Sequence, residues 1–258
     1  MKLNKIEPKF IKNKNPRIGL ITLASDFRIE KDFNNVIHGK KIDLYCNRIN
    51  CYNPLTNETL KKMADDIPEV TKNILPDQEL DCVAYGCTSG TIASGYQSIF
   101  EKVNIAKPNT KVTTPITSVI NALKLLKINK VSIFTPYTDE INRSVINYFK
   151  NEKIEIHELS YFDIASDLDI GKVDPQYLFD VLSKQDLFKS DALFVSCTAL
   201  PVLSIIKDLE KKIGKIVLSS NQTLIWDTLK QINYNNKVEG YGELFNLSLI
   251  HISEPTRR

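Results

Sequence analysis

The chain has 258 residues, 42% of them hydrophobic, with 34 basic against 31 acidic side chains and a formal charge of +3. That length admits one large domain or two ordinary ones, and so small a charge excess argues against a nucleic-acid or membrane-surface partner. No apolar run approaches the ~20 residues of a membrane span, and the first residues lack the apolar core of a secretory signal, so a cytoplasmic protein is expected.

In chain order, residues 1–16 are rich in Lys and Asn and read as an arm ending at Asn15-Pro16. Residues 17–24 form a short apolar run of buried-strand type, after which Ser25 or Asp26 caps a helix running towards Val36. Residues 41–49 alternate as a second strand. An amphipathic helix is expected over 58–74, interrupted near Pro68. Residues 82–86 are a buried strand, broken at Gly86, and the next helix is expected to start near Thr91 and run to Val103. A short strand at 111–115 precedes a helix at 116–126. The alternation then resumes with strand 130–136, helix 139–150 and strand 155–161. Asp174-Pro175 opens a further helix, with Pro in its first turn. The last elements are strand 192–197, amphipathic segment 200–213, strand 215–221 and helix 222–232. Residues 247–258 fit neither half and read as translated adapter or read-through sequence, so His251, Arg257 and Arg258 are set aside.

Strands alternating with helices of this length indicate parallel βαβ units. The order also repeats at half-chain scale: strand 17–24 answers to 130–136, the strand before Cys87 to the strand before Cys197, and 112–126 to 218–232. The fold expected is α/β, with two pseudo-symmetric, Rossmann-like (flavodoxin-like) lobes built on parallel sheets. Residues 17–115 plus 220–246 would form one lobe and 116–219 the other, with the active site in the cleft between the strands' carboxyl ends.

The stretch Ala84-Tyr-Gly-Cys-Thr-Ser-Gly-Thr91 and its counterpart Val195-Ser-Cys-Thr-Ala-Leu200 each end an apolar strand in Cys-Thr before an expected helix. A helix N-terminus directs N–H groups at an anion and favours a thiolate. Cys87 and Cys197 on opposite sides of a cleft suit the removal of a proton next to a carboxylate and its return to the other face. They equally suit addition of a thiolate to an activated double bond, rotation, and elimination to the other geometric isomer. Either use requires a thiol pKa below its ordinary ~8.5. A buried cysteine is by default only a small hydrophobe; its recurrence with Thr at equivalent strand ends favours chemistry. Thr88, Ser89 and Thr198 are candidate donors to a carboxylate whose charge grows as an enediolate forms, although Ser and Thr also cap helices routinely. Tyr137, Asp26 and Asn221 stand at the remaining strand ends, and Arg48 is a candidate carboxylate partner or a surface ion pair.

Five cysteines, an odd number without a secretory signal, argue against a disulfide framework, and three histidines offer too few ligands for a zinc site. Cys46, Cys51 and Cys82 read as small core or loop residues. His38 and His157 lie away from the strand ends, there is no phosphate-binding glycine motif, and neither metal nor cofactor is expected.

From residue 17 to 245 the chain resembles the aspartate/glutamate racemase superfamily. It is most similar to the branch holding maleate cis–trans isomerase, arylmalonate decarboxylase and ectoine-utilisation racemase-like proteins. The motifs that carry the resemblance are Ala-Tyr-Gly-Cys-Thr-Ser-Gly-Thr, Ser-Cys-Thr-Ala-Leu and Ser-Ser-Asn-Gln-Thr-Leu-Ile-Trp. The resemblance implies that Cys87 and Cys197 are the two catalytic cysteines and that Thr88, Ser89 and Tyr137 bind a carboxylate. It also implies a cofactor-independent isomerase, racemase or cis–trans, of a small carboxylate, dicarboxylate or amino-acid-like molecule, commonly as a homo-oligomer. Asp26 falls where maleate isomerases carry Asn, and the decarboxylase has glycine at the position of Cys87. The alternatives are a malonate decarboxylase with Cys197 as proton donor and a carboxylate-binding protein without turnover.

Overall fold

The computed structural model describes Met1, residues 3–10 and residues 15–247. The reading of 247–258 as a foreign tail therefore lies outside the described residues, apart from Leu247.

The first half runs β1 (Arg17–Leu23), α1 (Ile29–Ile37), β2 (Asp43–Ile49), α2 (Asn57–Met63), a 3-10 turn (Ala64–Asp66), α3 (Ile67–Lys72), β3 (Cys82–Gly86), α4 (Thr88–Ser94), α5 (Tyr96–Ala106), β4 (Lys111–Thr113) and α6 (Pro115–Leu126). The second runs β5 (Lys130–Thr135), α7 (Asp139–Asn151), β6 (Glu155–Tyr161), α8 (Asp167–Ile170), α9 (Pro175–Leu182), β7 (Ala192–Val195), α10 (Ile206–Ile213), β8 (Ile216–Ser219), α11 (Ser220–Gln231) and a 3-10 turn (Glu243–Asn246). The sheets have the orders β2-β1-β3-β4 and β6-β5-β7-β8, each four-stranded and parallel throughout. One strand order used twice is the half-chain repeat expected from the sequence.

The central strands read as unbroken apolar runs because helices cover both of their faces. Every residue of β3 and of β7 is buried, whereas edge strand β2 alternates and leaves Cys46 exposed. Helix α11 is buried along its first ten residues. It packs against α6, β3, β4 and α1, so a helix that follows the second sheet covers the first. Thr113 with Thr228 (2.7 Å), and Ser118 and Asn121 with Asp227, fasten it there.

Four boundaries differ from the sequence expectation, each for a local reason. Helix α1 begins at Ile29, and Asp26 caps it from outside, its Oδ1 accepting the N–H groups of Arg28 (2.7 Å) and Ile29 (3.1 Å). The expected 58–74 helix is two helices joined by a 3-10 turn, with Pro68 in the first turn of α3, where a missing N–H costs nothing. The helix after Cys87 starts at once, at Thr88, ends before Gly95 at φ 80°, and restarts at Tyr96. The largest correction concerns residues 200–205. They form turns instead of helix, and α10 begins only at Ile206.

Candidate active site

Both cysteines sit where the central strand of their sheet ends, in turns of different build. Cys87 is the N-cap of α4, and its Sγ accepts the Gly90 N–H at 3.2 Å. Ser89 Oγ lies 3.9 Å from the same sulfur. Gly90 is required here: a Cβ would sit 2.8 Å from Cys87 Sγ, 2.9 Å from Tyr85 Oη and 3.0 Å from Met63 Cε. Cys197 stands in no helical turn. Its φ is +90°, a backbone region that costs a non-glycine residue about 1–3 kcal/mol. The expectation of a helix N-terminus behind each sulfur therefore holds for Cys87 and is corrected for Cys197.

Two contacts join these turns across the seam between the sheets. Ser220 Oγ accepts the Cys197 N–H at 3.0 Å and lies 2.8 Å from Thr88 Oγ1. Thr198 Oγ1 donates to the Gly86 carbonyl at 3.2 Å. Tyr137, buried at the end of β5, has its hydroxyl in reach of the Cys197 sulfur and accepts the Ser196 hydroxyl at 3.3 Å. Asn221 in the first turn of α11 gives its amide N–H groups to Asp32 (2.7 Å) and to the Thr198 carbonyl (2.8 Å). It thus holds the Cys197 turn, and its donors are already engaged. Asp26 is buried beside Thr198 and Cys197. All eight candidate residues thus line one seam. Arg48 does not face it: its guanidinium binds the Leu23 and Asp26 carbonyls and the Glu30 carboxylate.

The seam is closed, with Cys87 and Cys197 only 3% and 5% exposed. A strap, residues 162–174, leaves the second sheet after β6 and is tied to the first. Ala165 accepts the Leu55 N–H at 3.1 Å, Asp167 takes the Ser25 hydroxyl at 2.6 Å, and the Arg28 guanidinium donates twice to the Gly171 carbonyl.

Enclosure reverses the expected pKa trend. Burial pushes the Cys87 thiol up to about 12 despite the Gly90 N–H, and the Asp167 charge adds to the rise. Burial likewise raises Cys197 well above the ordinary thiol value, with Asp167 and Asp26 adding to it. Both sulfurs are therefore protonated in this arrangement.

Sequence reasoning missed Ser220, Tyr85, Cys51 and Asp167. Tyr85 was legible, because period-2 alternation puts it on the same side of the strand as Cys87; its hydroxyl is buried against the Cys87 sulfur. Ser220 precedes Asn221 in a stretch already singled out. Cys51 borders the seam, close to Ser25 and within the field of Cys87. Asp167 lies in the strap, where no periodicity marks it.

Two parallel α/β halves of one strand order, each delivering a cysteine to a common seam, define a two-lobed, two-thiol protein. The profile of the arylmalonate decarboxylase family matches residues 55–245, and the chain belongs to that family. It is 24% identical to the maleate isomerase of Geobacillus stearothermophilus over 245 residues, 89% of this chain and 97% of the relative. It is 28% identical to the arylmalonate decarboxylase of Bordetella bronchiseptica over 139 residues, 53% of this chain and 58% of that one. Among solved structures, a cysteine-to-serine variant of Nocardia farcinica maleate cis–trans isomerase, with a covalently bound succinylcysteine intermediate, superposes with a TM-score of 0.82. It is 20% identical, and the match covers 89% of this chain and 98% of that one.

Proposed function

We propose that the protein is a cofactor-independent isomerase of a small carboxylate, working through Cys87 and Cys197 by cis–trans isomerisation or racemisation. The observation that carries this reading is the Ser220 hydroxyl, which ties the Cys87-Thr88 turn to the Cys197 N–H. A structural pair of core cysteines needs no such link.

Cys87 is the thiolate of the pair in this reading, because it caps a helix and, unlike Cys197, is not raised by the Asp26 charge. In the cis–trans reaction Cys87 Sγ attacks one alkene carbon, an S–C bond forms, and the π electrons move towards the neighbouring carboxylate. The Cys197 thiol then gives its proton to the other carbon. Rotation about the new single bond and the reverse steps release the other isomer and restore both sulfurs. The succinylcysteine of the Nocardia enzyme is what such an addition makes from a butenedioate. In racemisation Cys87 instead removes the α-proton and Cys197 returns one to the opposite face. The Thr88 and Ser89 hydroxyls serve the carboxylate whose charge grows in either case.

The test is turnover of a panel of small carboxylates, followed as maleate-to-fumarate conversion and as deuterium uptake at the α-carbon. We expect activity in the wild type and its loss in both Cys87→Ala and Cys197→Ala. Full activity in either variant sinks the two-thiol scheme. Release of CO₂ from a substituted malonate, surviving Cys87→Gly, would establish the decarboxylase alternative instead.

A further inference from the structure

Ionising Cys87 inside a closed seam takes hydrogen-bond donors, because burial opposes the charge. Two are already placed: the Gly90 N–H at 3.2 Å from the sulfur and, farther off at 3.9 Å, the Ser89 hydroxyl. The acids that act on this sulfur, Asp167 on the strap and Cys51 after β2, work against ionisation, and Tyr137 from the other half feels its charge in turn.

A third hydroxyl faces the same sulfur. Tyr85, in β3, is fully buried, and among the described residues its Oη has no oxygen or nitrogen partner. What it lies against is the Cys87 sulfur. Gly90 marks how closely the two converge: the position of its missing Cβ is 2.9 Å from Tyr85 Oη and 2.8 Å from Cys87 Sγ. Burial and the Cys87 charge both keep the phenol protonated, so towards a thiolate it is a donor. A buried hydroxyl without a good acceptor costs stability, and phenylalanine would fill the same space without that cost. A thiol sulfur is a weak acceptor, whereas hydrogen bonds to an ionised acceptor are roughly twice as strong. The Tyr85 hydroxyl is thus well satisfied only when Cys87 is ionised. The other half has no counterpart, since the residue two before Cys197 is Val195. The phenol beside Cys197 is Tyr137, which follows the neighbouring strand and already accepts the Ser196 hydroxyl.

Resting on the isomerase reading above, we infer that Tyr85 is a positioning residue of that reaction, its hydroxyl donating to the Cys87 sulfur as the sulfur takes negative charge. The bond weakens once the sulfur joins carbon or regains a proton, so the stabilisation is confined to the thiolate. Tyr85 acts through Cys87 and needs no contact with the substrate.

The experiment compares the full chain with its Tyr85→Phe variant, which keeps the ring and removes the hydroxyl. Iodoacetamide labelling of Cys87 and Cys197 is followed by peptide mass spectrometry across a range of pH, with Cys197 reporting how often the seam opens. We expect Cys87 labelling at neutral pH to fall about ten-fold relative to Cys197, the equivalent of one unit in thiol ionisation. The thermal midpoint should be unchanged or raised. For any carboxylate that is turned over, kcat should fall with KM nearly unchanged, and the acid limb of the pH profile should move to higher pH. A labelling ratio that the substitution leaves unmoved overturns the inference. A lowered thermal midpoint with both cysteines labelled faster overturns it too, because the hydroxyl then serves only the fold. The two readings fail separately. Turnover that needs both thiols, with the labelling ratio unmoved, would keep the isomerase and discard this role for Tyr85. A lowered ratio without turnover of any carboxylate would do the reverse.

Discussion

The Cys87 and Cys197 turns end equivalent strands, yet they hold their sulfurs by different means. Cys87 opens a helical turn, its sulfur accepts an N–H, and a glycine leaves room for it. Cys197 sits at a positive φ with its N–H on Ser220, followed by turns where its counterpart has a helix. A backbone N–H eases the ionisation of each sulfur, Gly90 at Cys87 and Ala199 at Cys197, so the turns differ in backbone build and not in having a donor. A nucleophile needs a helix N-terminus behind it and a proton donor needs placement, so this asymmetry of build suits the roles proposed for the two sulfurs.

The strongest way to break this comparison is to exchange one sulfur at a time. Cys197→Ser should lower turnover by roughly 10²–10⁴-fold, the usual worth of a positioned acid, while leaving a covalent adduct on Cys87 visible by intact mass. Cys87→Ser should be equally slow and carry no adduct. Adduct on Cys197 in that second variant would reverse the roles assigned here.

Next in size is Gly90→Ala. Its Cβ would meet Cys87 Sγ and Tyr85 Oη at 2.8 and 2.9 Å, so one or both must move. Overpacking of this kind costs about 1–3 kcal/mol. Chemical denaturation should show that loss, and kcat should fall by more than stability alone explains. Unchanged kcat would mean that the Cys87 turn is not held in position from this side.

Behind the Cys197 turn, burial raises Asp32 from 3.8 to about 7 even though Asn221 donates to it. The folded chain keeps a proton that the unfolded chain loses above about 4. Ionised Asp32 therefore costs stability above pH 7, and the cost is relieved as pH falls from about 7 towards 4. Thermal melts should rise across that interval in the wild type, and Asp32→Asn should flatten the slope. A slope the same in both proteins would remove Asp32 from the account.

The smallest effect expected is at Cys197 itself. Glycine adopts φ +90° without strain, so Cys197→Gly should be more stable than Cys197→Ala by about 1 kcal/mol, read by urea denaturation. Equal stabilities would show that the turn imposes no strain.

Alternation of apolar strands with amphipathic helices made the two sheets legible to within a few residues. The recurrence of Cys-Thr at strand ends also pointed to the seam. What misled was apolarity without phase. Residues 200–203 are all buried, so their hydrophobic spacing carries no helical information, and turns such as Val202 N–H to Leu200 O take the place of the helix. The start of α4 was missed for the same reason, since its first four residues are all buried and Ser89-Gly90 reads as loop. Asp167 was invisible because a partner 142 residues away in sequence, Ser25, gives it meaning.

The strap that carries Asp167 has a kinetic consequence. With both sulfurs buried, a molecule enters and leaves only when the chain opens, and the strap's ties to Leu55, Ser25 and Arg28 are the contacts we expect to part. Admission and discharge thus form a step separate from bond making. If that step is the slower one, heavy hydrogen at the reacting carbon will leave the steady-state rate almost unchanged. A thicker solvent will slow it.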